Sequence, residues 1–162
     1  MKRELAGLGQ PYARHAKEGL RALRRAHRAT VTPADPRRLT GSVDLEACLH
    51  RVAAYDGQAK WDYGVGFTSP HGGRRCAVWI EVHNATPGDV RVVSAKLRTL
   101  RRWLDGDGRA LAGPTDAARV ALGGTPFRWL AVGPTSVVAT SGAFRAAADA
   151  GLAFPQRRLR IP

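Results

Sequence analysis

Apolar positions along this chain follow two periods, and each predicts a different element. In WDYGVGFTSPHGGRRCAVWIEVH, from Trp61 to His83, large apolar residues alternate with small or charged ones, the mark of paired strands. Trp61, Tyr63, Val65 and Phe67 share one face of the first strand, and Asp62, Gly64 and Gly66 the other. On the second strand Cys76, Val78, Ile80 and Val82 oppose Ala77, Trp79, Glu81 and His83. Folding the hairpin symmetrically about TSPHGGR sets Val65 opposite Val78 and Asp62 opposite Glu81. Facing like charges are unfavourable in a sheet, so a compensating cation is expected: a metal ion, a lysine or an arginine. Gly64 and Gly66 leave bare the face beyond Asp62, for a ligand or for helix packing.

The helical period appears elsewhere. Val93, Leu97, Leu100 and Leu104 form a stripe in VRVVSAKLRTLRRWLDG, widened by Trp103 and flanked by Lys96. DLEACLHRVAAY has a stripe of Leu45, Leu49 and Val52, with Ser42 or Asp44 as N-cap and Glu46 beside the stripe. SGAFRAAADAG is predicted as a helix capped by Ser141 and stopped at Gly151. FRWLAV reads as a strand, TSVVAT as a short one and RRLRIP as a final edge strand. DGDGRALAGPTDAARVALGGTP reads as a mobile loop with a short helical piece. Near the N-terminus, ARHAKEGLRALRRAHRA is predicted as one helix with a stripe of Ala16, Leu20, Leu23 and His27. Its basic face carries Arg14, Lys17, Arg21, Arg24, Arg25 and Arg28, so it either lies on phosphate or docks by its leucines. TVTPADPRRLTGS is expected to be a linker or loop. The elements predict α/β architecture: a central mixed sheet of four or five strands flanked by helices. Residues 1–40 are expected to form a basic arm and linker, and 41–162 the α/β domain.

Charge changes the picture most. Lys and Arg number 26 against 13 acids, a formal net charge of +13 in 162 residues. Such an excess attracts polyanions, nucleic acid above all. No apolar run reaches the ~20 residues of a membrane helix, and the basic segment lacks the Trp or Phe of a membrane-inserting helix. Membrane attachment is therefore not expected. Two cysteines make no disulfide framework and point to a reducing compartment, the cytoplasm by default. The chain has no GxxxxGK phosphate loop and no Gly-x-Ser-x-Gly elbow. His71, Cys76 and His83 do not share a face, which argues against zinc.

The order of helix, Asp62 strand, Glu81-Val82-His83 strand, Lys96 helix and FRWLAV strand resembles the PD-(D/E)xK nuclease superfamily over residues 42–132. The segment WIEVHNAT followed by KLRTLRRWL also resembles uncharacterised bacterial proteins. The resemblance implies a restriction-endonuclease-like domain that cleaves a phosphodiester backbone, with DNA the expected substrate. By position, Asp62 and Glu81 match the acids that bind Mg²⁺ (or Mn²⁺), and Glu46 matches a helix glutamate that sometimes joins them. His83 falls where the family has its lysine, and Lys96 matches a relocated lysine. Either is placed to handle the attacking water. The chain departs from the family in lacking a proline before Asp62. The interval between Glu46 and Asp62 is also too short for a first strand. One alternative is a catalytically degenerate module that binds nucleic acid or acts as an accessory subunit of a larger assembly; in either reading a homo-oligomer or larger complex is open. A second is a protein-interaction subunit whose charge has no nucleic-acid role.

Overall fold

The hairpin predicted from the alternation lies at the centre of the sheet, in the predicted register. A computed structural model describes residues 1–7 and 12–162. Its strands are β1 (Ala16–Lys17), β2 (Val31–Pro33), β3 (Leu39–Asp44), β4 (Tyr63–Thr68), β5 (Arg75–Ala85), β6 (Phe127–Thr135) and β7 (Leu159–Ile161). A mixed sheet runs in the order β1-β3-β4-β5-β6. Its neighbours are antiparallel except β5 and β6, which are parallel. Val65 pairs with Val78 and Tyr63 with Ile80, the register that symmetric folding about TSPHGGR requires. β2 and β7 form a separate parallel pair. The C-terminal strand is thus not an edge of the main sheet.

The helices are α1 (Lys2–Gly7), α2 (Tyr12–His15), α3 (Arg25–Arg28), α4 (Leu45–Leu49), α5 (Asp89–Asp105), α6 (Ala112–Ala121) and α7 (Gly142–Asp149). Both faces of the sheet are covered. Ala77 and Trp79 pack in one core with Val93, Leu97, Leu100 and Trp103 of α5. Tyr63, Val65, Phe67, Val78 and Ile80 pack in the other with Ala118 of α6, Leu159 and Ile161. A parallel β5–β6 pair needs a crossover, and α5 with α6 supplies it; α6 touches both cores, Thr115 meeting Trp79 and Ala118 packing in the second. The result is one α/β unit with a mixed sheet flanked by helices.

Several local expectations are corrected. The 13–29 segment is not one helix. It breaks into α2, β1 and α3, with Gly19 at φ +53° between them. Pairing of β1 with β3 and burial of Leu23 outweigh helix propensity there. Met1, Leu5 and Tyr12 are also buried in the first core, so the basic segment docks on the domain and does not stand off as an arm. The expected linker at 30–42 contains β2, a tight turn at Pro36–Arg38 and most of β3. Asp44, not Ser42, caps α4, accepting a hydrogen bond from the Ala47 amide at 2.9 Å. α4 has five residues, fewer than its apolar stripe predicts. The expected loop at 105–126 holds α6, whose Ala117, Ala118 and Ala121 let it lie close to the sheet. In TSVVAT only Thr135 belongs to a strand. The predicted α7 forms with Ser141 accepting from the Phe144 amide.

Candidate active site

Asp62 is held at the junction of three elements. Its carbonyl accepts from the Leu45 amide at 2.8 Å and the Glu46 amide at 3.4 Å, tying it to the start of α4. Its carboxylate Oδ2 accepts from the Val82 amide of β5 at 2.9 Å. Glu81 follows from the β5 alternation, on the face of Trp79, and has no exposed surface. Its Oε2 accepts from the Asp62 amide at 3.3 Å. Lys96 reaches the same point from α5. Its Nζ lies 2.5 Å from Glu81 Oε1 and 3.3 Å from Asp62 Oδ1. The facing acids therefore have their cation, and in this structure it is a lysine. Asp62 and Lys96 keep 12% and 14% of their side-chain surface exposed, so solvent reaches one edge of the trio.

The electrostatics follow from burial. Desolvation raises the Glu81 carboxyl from the usual 4.5 to about 8; Asp62 adds to the rise and Lys96 opposes it. Burial alone would lower the Lys96 ammonium, but Glu81 and Asp62 outweigh it and raise the group instead. The two rises are compatible. With all three groups ionised the trio carries one net negative charge, so it favours an added proton or another cation.

The remaining candidates separate. His83 shares the Glu81 face, but its Nδ1 lies 3.2 Å from Asp89 Oδ1 at the start of α5. Asp89 is in turn fixed by the Thr86 amide at 2.9 Å and the Thr86 hydroxyl at 2.5 Å. Burial works against its charge, yet these hydrogen bonds and His83 hold its carboxyl below the usual range. Glu46 is half-buried, and its carboxylate has no hydrogen bond or ion pair among the described residues. No cluster of three His, Cys, Asp or Glu side chains able to hold a metal occurs among the described residues. Sequence reasoning missed Lys60, which is buried two residues before Asp62 and donates to the Gln58 carbonyl at 3.0 Å. Its position in step with Asp62 was the available signal.

Gly64 and Gly66 serve packing. A Cβ on Gly64 would stand 2.6 Å from the Trp79 ring, and one on Gly66 would collide with Met1 and Thr40. Trp79 is fully buried and donates to Thr115 Oγ1 at 2.9 Å, which leaves no face for a base. Burial pushes the Cys48 thiol up to about 12 and raises that of Cys76, and both cysteines are free.

Arg14, Lys17, Arg21, Arg24, Arg25 and Arg28 are all exposed. α3 is tied to the first residue of β4, beside Asp62, through His27 Nδ1 and the Tyr63 hydroxyl at 3.0 Å. Arg24, Arg25 and Arg28 therefore lie near the start of β4 on the Tyr63 face of the sheet, opposite the face of Glu81 and Lys96. Among the described residues no helix is long and apolar enough to cross a membrane. Compared with known proteins, the chain matches no family model, no curated protein and no solved structure.

Proposed function

We propose that this chain is a metal-dependent nuclease of the PD-(D/E)xK type, acting on the phosphodiester backbone of DNA. The observation that carries the reading is the meeting of Asp62, Glu81 and Lys96 at one point of the sheet. A second support is the order β3-β4-β5 antiparallel, then helix, then parallel β6, which agrees with the core that the resemblance implies. Glu46 fits that resemblance less well, since it follows the first strand of the meander and does not precede it.

The donor set suits a hard cation. Mg²⁺ and Mn²⁺ take carboxylate oxygens and leave positions for water and phosphate. Asp62 Oδ1 and Glu81 Oε1 both face one cation here, while their other oxygens accept from backbone amides. Those two residues would hold the ion, which would polarise the phosphodiester and make a bound water more acidic. Lys96 contributes positive charge where a phosphate gains negative charge. His83, engaged by Asp89, orients the start of α5 in this reading and is not the base. The exposed arginines around α3 bind the backbone nonspecifically.

Cleavage of single- and double-stranded DNA, assayed with Mg²⁺ and Mn²⁺, tests this. Asp62→Ala and Glu81→Ala should each lower cleavage by orders of magnitude while keeping DNA binding. Lys96→Ala should lower it too, and His83→Ala should leave it nearly intact. One observation favours a second reading, a module that binds nucleic acid without cutting it: Lys96 already stands between the two acids where a metal ion would bind. Wild-type protein that binds DNA yet cleaves no strand with either ion would favour that reading over the first.

A further inference from the structure

The opposite face of the sheet holds a cavity that the acid site does not use. Its volume is about 750 Å³, and β6, β7, the end of α6 and the 34–38 turn form its walls. Four guanidiniums line it: Arg38, Arg128, Arg158 and Arg160. One acidic side chain, Asp35, lines it among the described residues, and Asp35 is already gripped by Arg37 at 3.0 and 3.2 Å. Arg38 lies 3.7 Å from Asp35. Arg158 and Arg160 have no side-chain hydrogen bond or ion pair among the described residues. They are two apart around Leu159, which points into the core, so alternation sends both to the side away from it.

Two residues of its wall also hold donors that lack acceptors, packed behind the surface that the cavity exposes. Arg128 Nε and Gln156 Nε2 are buried and have no hydrogen-bond partner among the described residues. Arg128 makes one long bond, from Nη2 to the Leu122 carbonyl at 3.4 Å. The Gln156 backbone is fixed to β6 on both sides, donating to the Trp129 carbonyl and accepting from the Ala131 amide. Its side chain is thus presented at a set place. Buried donors without acceptors are costly, and gathered guanidiniums repel one another. An anion with several oxygens would relieve the repulsion among the guanidiniums that line the cavity. Arg presents paired N–H groups that match phosphate oxygens. The other wall is apolar, with Leu122, Leu159 and Pro70, and the volume is that of a small-ligand site.

We infer that this cavity is a second ligand site, which takes a nucleotide: phosphate on Arg128, Arg158 and Arg160, and the base against Leu122 and Pro70. Arg128 pairs in register with Ile80 of the second core, on the face away from Glu81. The site therefore stands or falls separately from the nuclease reading.

Titrating the full chain with adenosine monophosphate, and reading the thermal unfolding temperature and calorimetric affinity, tests it. Adenosine monophosphate should raise the unfolding temperature with dose. Inorganic phosphate should do so more weakly, and adenosine not at all. Arg158→Glu/Arg160→Glu should weaken binding by about tenfold or more, the loss of one or two charged hydrogen bonds. Arg160→Gln should weaken it less and serves if the double variant is unstable. Arg109→Glu/Arg145→Glu makes the same charge change elsewhere on the exposed surface and should leave affinity within about twofold. A 5′-phosphorylated dinucleotide separates the sources. Retained affinity assigns the site to a strand end, and lost affinity to a free nucleotide. The inference is overturned by no binding at millimolar nucleotide, by equal binding of adenosine, or by equal weakening in both double variants.

Discussion

Glu81 is a carboxyl with no exposed surface, set against a second carboxyl and one ammonium. Its raised pKa makes stability depend on pH. The native state holds the proton up to about 8, while the unfolded chain releases it near 4.5. The stabilising contribution is therefore complete below about pH 4.5 and is lost as pH rises through 8. Urea denaturation of the wild type without divalent ions should show stability falling over that window, by an amount on the order of a few kcal/mol. Glu81→Gln should flatten the fall, since its amide has no proton to lose. Lys96→Met should steepen it, because the remaining acids then face each other without a cation. At pH 8 its cost should reach about 3 kcal/mol. At pH 5 it should be smaller, as Glu81 takes up a proton in place of the missing ammonium. Equal pH slopes in the wild type and Glu81→Gln would mean that Glu81 ionises normally in the fold.

At the scale of the elements, the β4–β5 hairpin depends on two glycines to admit the Trp79 ring and the N-terminal Met1. Gly64→Ala should cost about 1–3 kcal/mol by overpacking against Trp79, visible as a lower urea midpoint at unchanged slope. A neutral effect would show that the ring moves freely. The hairpin, α5 and α7 were legible in the sequence because each has a clear apolar period, and in α7 also a Ser cap. The Asp62–Glu81 pair was legible for the same reason, since period two fixes which residues face each other. α6 was legible only as a short helical piece in a loop, because its buried face is alanine and carries little hydropathy contrast. β1 was not, because two residues have no period and its pairing with β3 is purely tertiary. The choice between Lys96 and His83 was also hidden. It depends on the turn at Thr86–Asp89, which brings Asp89 onto the imidazole. The alternation placed the acids on the less apolar face, yet α5 and Trp79 bury that face as fully as the other.

For the whole molecule, a net charge of +13 favours attraction to any polyanion, so attraction alone decides nothing. What distinguishes a working nucleic-acid surface is where the charge acts. Arg24, Arg25 and Arg28 are exposed and lie near the start of β4, on its Tyr63 face, through the α3–Tyr63 contact. Each phosphate neutralised releases counterions, so the logarithm of affinity falls in proportion to the logarithm of salt. Duplex DNA binding, measured by fluorescence anisotropy, should weaken by orders of magnitude between about 50 and 200 mM salt if several such contacts form. Arg24→Glu/Arg25→Glu/Arg28→Glu should flatten the slope by about 2–3, the number of phosphate contacts removed. The unfolding temperature should hold, because neither Arg24 nor Arg25 has a side-chain ion pair among the described residues. Of the three side chains, Arg28 alone gives up a hydrogen bond, the one it donates to the Leu23 carbonyl at 3.1 Å. Binding that ignores salt, or a slope untouched by the three reversals, would move the interaction away from α3. It would favour a protein partner over DNA at this end of the sheet.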